Sequence, residues 1–282
     1  MSANDFKRMI LGLPHSAADY EGIETAAVLA ETLGIDLLAT LIEDDGLLGL
    51  AGHPYARELR PLGAGWQPVD AARLAQELQH AADTARLRFF ERLRTRNIAK
   101  QFQVNRGTAT RVITSLVQPT DIVVLFEPKH AAERIAQQAA DLTEAAFSAA
   151  SAVLIVPCHV ARGHRPIVAL AAGPSDKSIR TGAAIASATK ERLIVLNASG
   201  ESLAADLELA ARNVPTEERI VREPLANPRS VAAILASINE RLLVTPLVPF
   251  RQKDLQTIAS FCRIPVLVTT SAPNTTTGGT KD

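Results

Sequence analysis

The sequence predicts an α/β protein built as two tandem doubly wound domains, each a five-stranded parallel sheet. Three observations carry that expectation. Apolar runs of strand length alternate with longer Ala- and Leu-rich stretches of helical period. The runs are apolar throughout, the pattern of strands covered by helices on both faces. The strand–helix order then begins afresh near residue 166, so the 282 residues divide into two similar halves.

In the first half, residues 8–13 (RMILGL) form the first predicted strand, closed by Pro14. A helix follows over 17–33, with Ile23, Ala26, Ala27, Ala30 and Leu33 on one face, and Gly34 sits where helices end in a left-handed residue. Residues 36–42 (DLLATLI) make the second strand, and a Gly/Pro-interrupted insertion, 45–68, breaks the alternation. Asp70 can cap a long helix to about Arg96, because Leu74, Leu78, Ala82, Ala85 and Phe89 share a face. A weaker strand at 101–104, a short helix at 108–117 and a strong strand at 121–126 (DIVVLF) come next. A helix over 131–150 and a fifth strand over 152–157 complete the half.

The second half repeats the order with fewer embellishments. Strands are expected at 166–171, 192–197, 218–222, 241–246 and 264–269, and helices at 179–189, 203–212, 231–239 and 253–261. The expected domains are 1–160, carrying the 45–68 insertion, and 161–270, followed by a disordered Thr/Gly/Pro-rich tail at 271–282.

Thirty Lys/Arg balance thirty Asp/Glu, which excludes a uniformly basic nucleic-acid or membrane binder. The zero hides an asymmetry: residues 1–160 hold 15 Lys/Arg against 19 Asp/Glu, a charge of −4, and the remainder carries +4. Opposite signs favour pairing of the halves, and the last strand of each is the expected docking edge, within one chain or in a homodimer. Cys158 and Cys262 lie too far apart in sequence to suggest a disulfide framework and read as reduced thiols next to apolar strands. The start lacks a signal-peptide apolar region and no stretch has membrane-helix length, so a cytoplasmic protein is expected.

Two phrases carry a resemblance to a family. The first half ends AASAVLIVP at 149–157, and the second ends CRIPVLV at 262–268. With the long helix behind a variable loop, they make the chain resemble a tandem universal stress protein over about residues 7–270. The resemblance implies five parallel strands in each half. Nucleotide-binding members carry an Asp at the end of the first strand and a Gly-x-x-Gly followed further on by Gly-Ser/Thr after the fourth. Glycines there let the backbone approach phosphates, and helix N-terminal N–H groups receive the charge. Here Leu13-Pro14 and Ala171-Ala172 stand at the first position, and EPKHAAE (127–133) and TPLVPFR (245–251) at the second, all without glycine. The resemblance therefore implies the type that lacks the ATP-binding glycine motif, and it transfers no catalytic role.

In open α/β sheets ligands sit beyond the carboxyl ends of the strands. Those positions in the first half are His15, then Glu43, Asp44 and Asp45, then Arg106 and Gly107, then Glu127, with His53 and Arg57 in the insertion. This set suits a small polar ligand, and strand ends that meet solvent are polar in any case. Adjacent Glu43, Asp44 and Asp45 cannot all reach one cation, so no metal is expected. Gly173, Ser175 and Lys177 could receive an anion, or the same turn serves as a helix cap through Ser175 or Asp176. The insertion reads as a lid or partner-binding loop, or as a loop folded back with Leu47, Leu48 and Leu50 as local core. Residues 86–100 hold five Arg and one Lys against Glu91, a face for an acidic partner, an anion or RNA, or simply a solvated face. No Gly-x-Ser-x-Gly, His-x-x-x-His or Gly-x-x-x-x-Gly-Lys pattern occurs.

The expected function is a non-catalytic, stress-related regulatory protein that binds a partner or small ligand through its first half without a cofactor. The alternative is an ATP- or AMP-binding protein, or a slow nucleotide hydrolase, with a divergent site using Arg106 and Gly173. An RNA-associated regulator is a third class.

Overall fold

Among the described residues, ten strands pair into one sheet. In the computed structural model, residues 6–13, 20–43, 45–60, 65–127, 137–160, 165–222 and 227–270 are described. The first half runs β1 (Arg8–Leu13), α1 (Tyr20–Leu33), β2 (Asp36–Glu43), α2 (Asp45–Ala51), β3 (Arg57–Arg60), β4 (Gly65–Pro68), α3 (Ala71–Arg92), β5 (Lys100–Arg106), α4 (Ala109–Leu116), β6 (Asp121–Phe126), α5 (Gln137–Ala149) and β7 (Ala152–Val156). The second half runs β8 (Ile167–Ala171), α6 (Lys177–Thr189), β9 (Leu193–Asn197), α7 (Ala204–Ala211), β10 (Thr216–Ile220), α8 (Pro228–Ile238), β11 (Leu242–Pro246), α9 (Gln252–Cys262) and β12 (Val266–Thr269).

The strand order is β10-β9-β8-β11-β12-β7-β6-β1-β2-β5. Each half is a parallel, doubly wound set of five, and the two orders mirror each other about the centre. At that centre β12 meets β7 antiparallel, with Leu267 opposite Leu154 and Val268 opposite Val153. The central strands β1, β6, β7, β8 and β9 are buried almost throughout, because helices cover both faces. The outer strands β5 and β10 alternate with exposed positions and carry Lys100, Arg106, Glu217 and Glu218, charges that blunt an open sheet edge. These are also the two strands with the thinnest apolar signal.

Two large apolar cores run through both halves, and a smaller cluster of Ile42, Ala109, Val112, Ile113 and Ala145 lies within the first half. Met9, Leu11 and Leu154 share the first core with Ile167, Ala169 and Leu193, and Val123 and Val153 share the second with Val168, Leu243 and Val266. The two halves thus share continuous apolar cores.

Local signals placed most element ends. Asp70 accepts the Arg73 N–H at 3.1 Å and starts α3, and Gly34, at φ +65, ends α1. The long helix stops at Arg92, short of the expected Arg96. The turn beyond it is closed by the Lys100 ammonium, which donates to the carbonyls of Leu93 at 2.7 Å and Arg96 at 3.2 Å. The 45–68 insertion, expected as a loop, forms α2 and the β3–β4 hairpin instead. Its hairpin is pinned to α3 by Arg73, which donates to Glu58 Oε2 at 2.6 Å. Leu50, expected in a local core, is 62% exposed, as are Tyr55, Leu59 and Trp66 to similar or greater extents. The expected disordered tail lies outside the described residues.

A buried carboxyl, Glu240 after α8, and a half-buried thiol, Cys262 at the end of α9, interact electrostatically. Glu240 is 3% exposed, and its Oε2 has no hydrogen-bond partner among the described residues. Burial pushes its pKa up, against the pull of its own backbone N–H and of Arg165. Burial, and then the Glu240 charge, push the Cys262 thiol up to about 12, so it stays protonated and weakly nucleophilic at neutral pH. Because the folded chain holds the Glu240 proton to higher pH than the unfolded chain does, this stabilisation is complete below the ordinary glutamate pKa of about 4.3. It is lost as pH rises through the raised folded value. Glu240→Gln is expected to be more stable than the parent at pH 7.5, with the gap in urea midpoint closing towards pH 4. A gap independent of pH would remove Glu240 as its source.

Candidate functional site

The carboxyl edge of the first half brings three of the sequence-derived residues together. β2 and β5 are in register with Glu43 opposite Arg106, so both side chains leave the sheet on one face. Glu43 is nearly buried, and its Oε2 accepts the Arg106 Nε–H at 2.9 Å. The Arg106 side chain is 68% exposed. A buried carboxylate thus holds one edge of a planar five-donor fork, leaving the remaining donors towards solvent. Gly107 donates its N–H to the Glu43 carbonyl at 2.9 Å and lies at φ +137, which favours glycine. A Cβ there would stand 3.7 Å from Asp45 Oδ2 and 3.6 Å from Val112, ordinary contact distances. Backbone conformation accounts for this glycine. The arrangement can present a guanidinium to acceptor groups. Glu43, engaged in an ion pair, is no free general base.

Other members of the expected set go elsewhere. His15 and Asp44 lie outside the described residues. Glu127 turns to the centre of the molecule: Oε2 accepts the Cys158 N–H at 3.2 Å and Oε1 accepts the Ser260 hydroxyl at 2.7 Å. It links the end of β6 to α9 of the other half, a role its place after a strand did not announce. His53 is exposed in the turn after α2, with Nδ1 accepting the Tyr55 N–H at 3.4 Å, and Arg57 is exposed at the start of β3.

In the second half the turn at Gly173, Ser175 and Lys177 is closed by carboxylates. Asp176 caps α6, accepting the N–H groups of Ser178 at 2.9 Å and Ala172 at 3.0 Å. Asp206, at the start of α7, accepts the Ser175 N–H at 2.8 Å, with Ser175 in the left-handed region at φ +62. The amides of Ala172, Ser175 and Ser178 are already given to carboxylates, with Asp176 as an ordinary helix cap. Asp206 had no signal in the sequence, since its partner is 31 positions away.

Two of the six cations of the basic stretch at 86–100, Arg92 and Arg96, pair with carboxylates of α1. Arg92 donates to Glu24 at 2.9 Å, Arg96 to Glu31 at 3.2 Å and to Glu24 at 3.4 Å, and Arg86 lies 5.9 Å above the Phe102 ring. Among the described residues no three His, Cys, Asp or Glu side chains gather as metal ligands, and no helix is long and apolar enough to cross a membrane.

No protein-family model and no curated protein sequence matches the chain. Solved structures do. A universal stress protein from Archaeoglobus fulgidus DSM 4304 superposes with a TM-score of 0.65 at 13% identity, over 96% of this chain and 99% of that one. The fold is that of the universal stress proteins. A putative universal stress protein from Pseudomonas aeruginosa UCBPP-PA14 matches with a TM-score of 0.51 at 13% identity, over 96% of this chain and 95% of its own. At this identity the shared property is the universal stress protein fold, and activity has to be argued from the site.

Proposed function

We propose that the chain is a non-catalytic regulatory protein of the universal stress protein kind, of the type without the glycine motif, which binds a partner or small polar ligand at the carboxyl edge of its first half. The observation that carries this reading is the turn after β8, where Asp176 and Asp206 take the amides of Ala172, Ser175 and Ser178 and leave less for a phosphate. The corresponding turn before α9 is likewise closed, by Asp254 accepting the Arg251 N–H at 3.0 Å. Arg106, fixed by Glu43 and open to solvent, is the group we assign to recognition.

Thermal-shift titration with ATP, AMP and cyclic AMP tests the reading. No stabilisation is expected from any of them at millimolar concentration. A saturable rise in melting temperature that Arg106→Ala or Ser175→Ala removes would overturn it in favour of a divergent nucleotide site. Native mass spectrometry of the protein as purified is expected to show no nucleotide mass.

A further inference from the structure

Between the two halves, on the sheet face that carries α1 and α6, lies a cavity of about 360 Å³. The two helices hold equivalent places in their halves, each following the first strand, and they touch beside it. The cavity lies at the central seam, four strands away from Arg106 on the outer strand β5. Ile167 and Leu242 open β8 and β11, and Pro265 stands just before β12. Its floor is apolar and sealed: Leu154, Ile167, Ile185 and Leu242 are each at most 5% exposed. Its rim is charged and open, with the Arg96, Arg241 and Glu24 side chains 29%, 32% and 30% exposed.

We propose that this cavity binds a small amphiphile with one anionic headgroup, specifically a medium-chain alkyl carboxylate. Concave, mostly apolar sites with a few convergent polar groups are typical of small-molecule binding at the junction of two structural units. The volume equals about twelve water volumes, which suits a chain of about eight to ten carbons with its headgroup. Hydrogen-bond donors are in surplus at the rim. A guanidinium offers five N–H groups, and Arg241 gives one bond among the described residues, from Nη1 to Glu191 at 2.8 Å. The Arg96 contacts at 3.2 and 3.4 Å are longer than the roughly 2.7–2.9 Å of tight charge-assisted bonds and can be exchanged for a ligand oxygen. An ammonium headgroup is the poorer fit: the lining carboxylate, Glu24, already holds Arg92 at 2.9 Å as well as Arg96. The alkyl chain lies on the floor and the carboxylate meets Arg96 and Arg241. Occupancy then ties α1 of one half to the start of β11 of the other, reading the ligand out as stiffer pairing of the halves.

Calorimetric titration of the full chain with decanoate, against acetate and decanol, tests the site. Saturable binding of decanoate is expected, with none for acetate and decanol weaker by about tenfold or more, a factor that corresponds to about 1.4 kcal/mol. Arg96→Gln with Arg241→Gln is expected to weaken decanoate by at least that factor. Should the double variant fail to fold, Arg96→Gln alone, at the open rim, carries the charge test. Val28→Phe, which fills the cavity from α1, is expected to abolish binding with an unchanged circular dichroism spectrum. Absence of saturable decanoate binding, equal affinity for decanol, or undiminished binding by Val28→Phe each overturns the proposal. Arg106→Ala is expected to leave decanoate binding intact, which separates this outcome from that of the strand-edge reading.

Discussion

Arg8→Ala is expected to destabilise the protein by about 3 kcal/mol, the range found when one partner of a buried ion pair is removed. Asp121 is 1% exposed at the first position of β6, and Arg8, at the first position of β1, donates to it through Nη2 at 2.6 Å and Nε at 3.3 Å. The same guanidinium reaches the Leu116 carbonyl at 3.0 Å, so it closes the end of α4 as well. Without Arg8, the Gln118 N–H at 2.8 Å remains to the carboxylate, too little for a full charge out of water. The measurement is the urea midpoint at pH 7. Arg8→Ala with Asp121→Ala should cost less than the two single changes added together, because the double change leaves no orphaned charge. Additive losses would assign the effect to lost packing of the arginine stem.

The seam between β7 and β12 should be less forgiving still. Leu267 is fully buried opposite Leu154, inside the core shared by both halves. Leu267→Ala is expected to cost about 3 kcal/mol through lost contacts and the cavity left behind. Leu267→Asp adds an unpaired buried carboxylate, several kcal/mol more, against a net stability of about 5–15 kcal/mol for a whole domain. The aspartate chain is expected to lose its native near-ultraviolet circular dichroism at pH 7, while the alanine chain keeps it with a lower urea midpoint. A native spectrum and parental midpoint for Leu267→Asp would show that the halves do not depend on this pairing.

Much of the fold was legible because its signals are local. Runs such as RMILGL, DIVVLF and AVLIVP are apolar throughout only if both faces of a strand are covered, and β1, β6 and β7 are buried in that way. Asp70, Gly34 and Asp176 could be recognised as helix punctuation because capping acts over a few residues. The insertion was misread for the opposite reason. Its Gly and Pro residues suggest a loop, yet α2 and the β3–β4 hairpin form there, held partly by Glu58 on Arg73, a contact made only when α3 is in place.

The candidate site was half legible. Glu43, Arg106 and Gly107 follow strands that the pattern revealed, and adjacency of β2 and β5 brings them together. Glu127 carried the same signal and went to Cys158 and Ser260, because β6 lies beside β7 and faces the other half. Asp206 at the turn after β8, and the pairing of Arg92 and Arg96 with α1, had no signal at all. These contacts join residues 31 to 72 positions apart, where periodicity and spacing carry no information.

The sequence by itself determined the α/β class and the repeated order of elements, since each depends on neighbouring residues and short periods. Tertiary structure alone decided that the halves share one ten-stranded sheet, that the carboxylates close the second-half turn, and that a charged-rimmed cavity opens between α1 and α6. Pairing, charge neutralisation and enclosed volume arise between distant segments, and they exist only once the chain has brought those segments together.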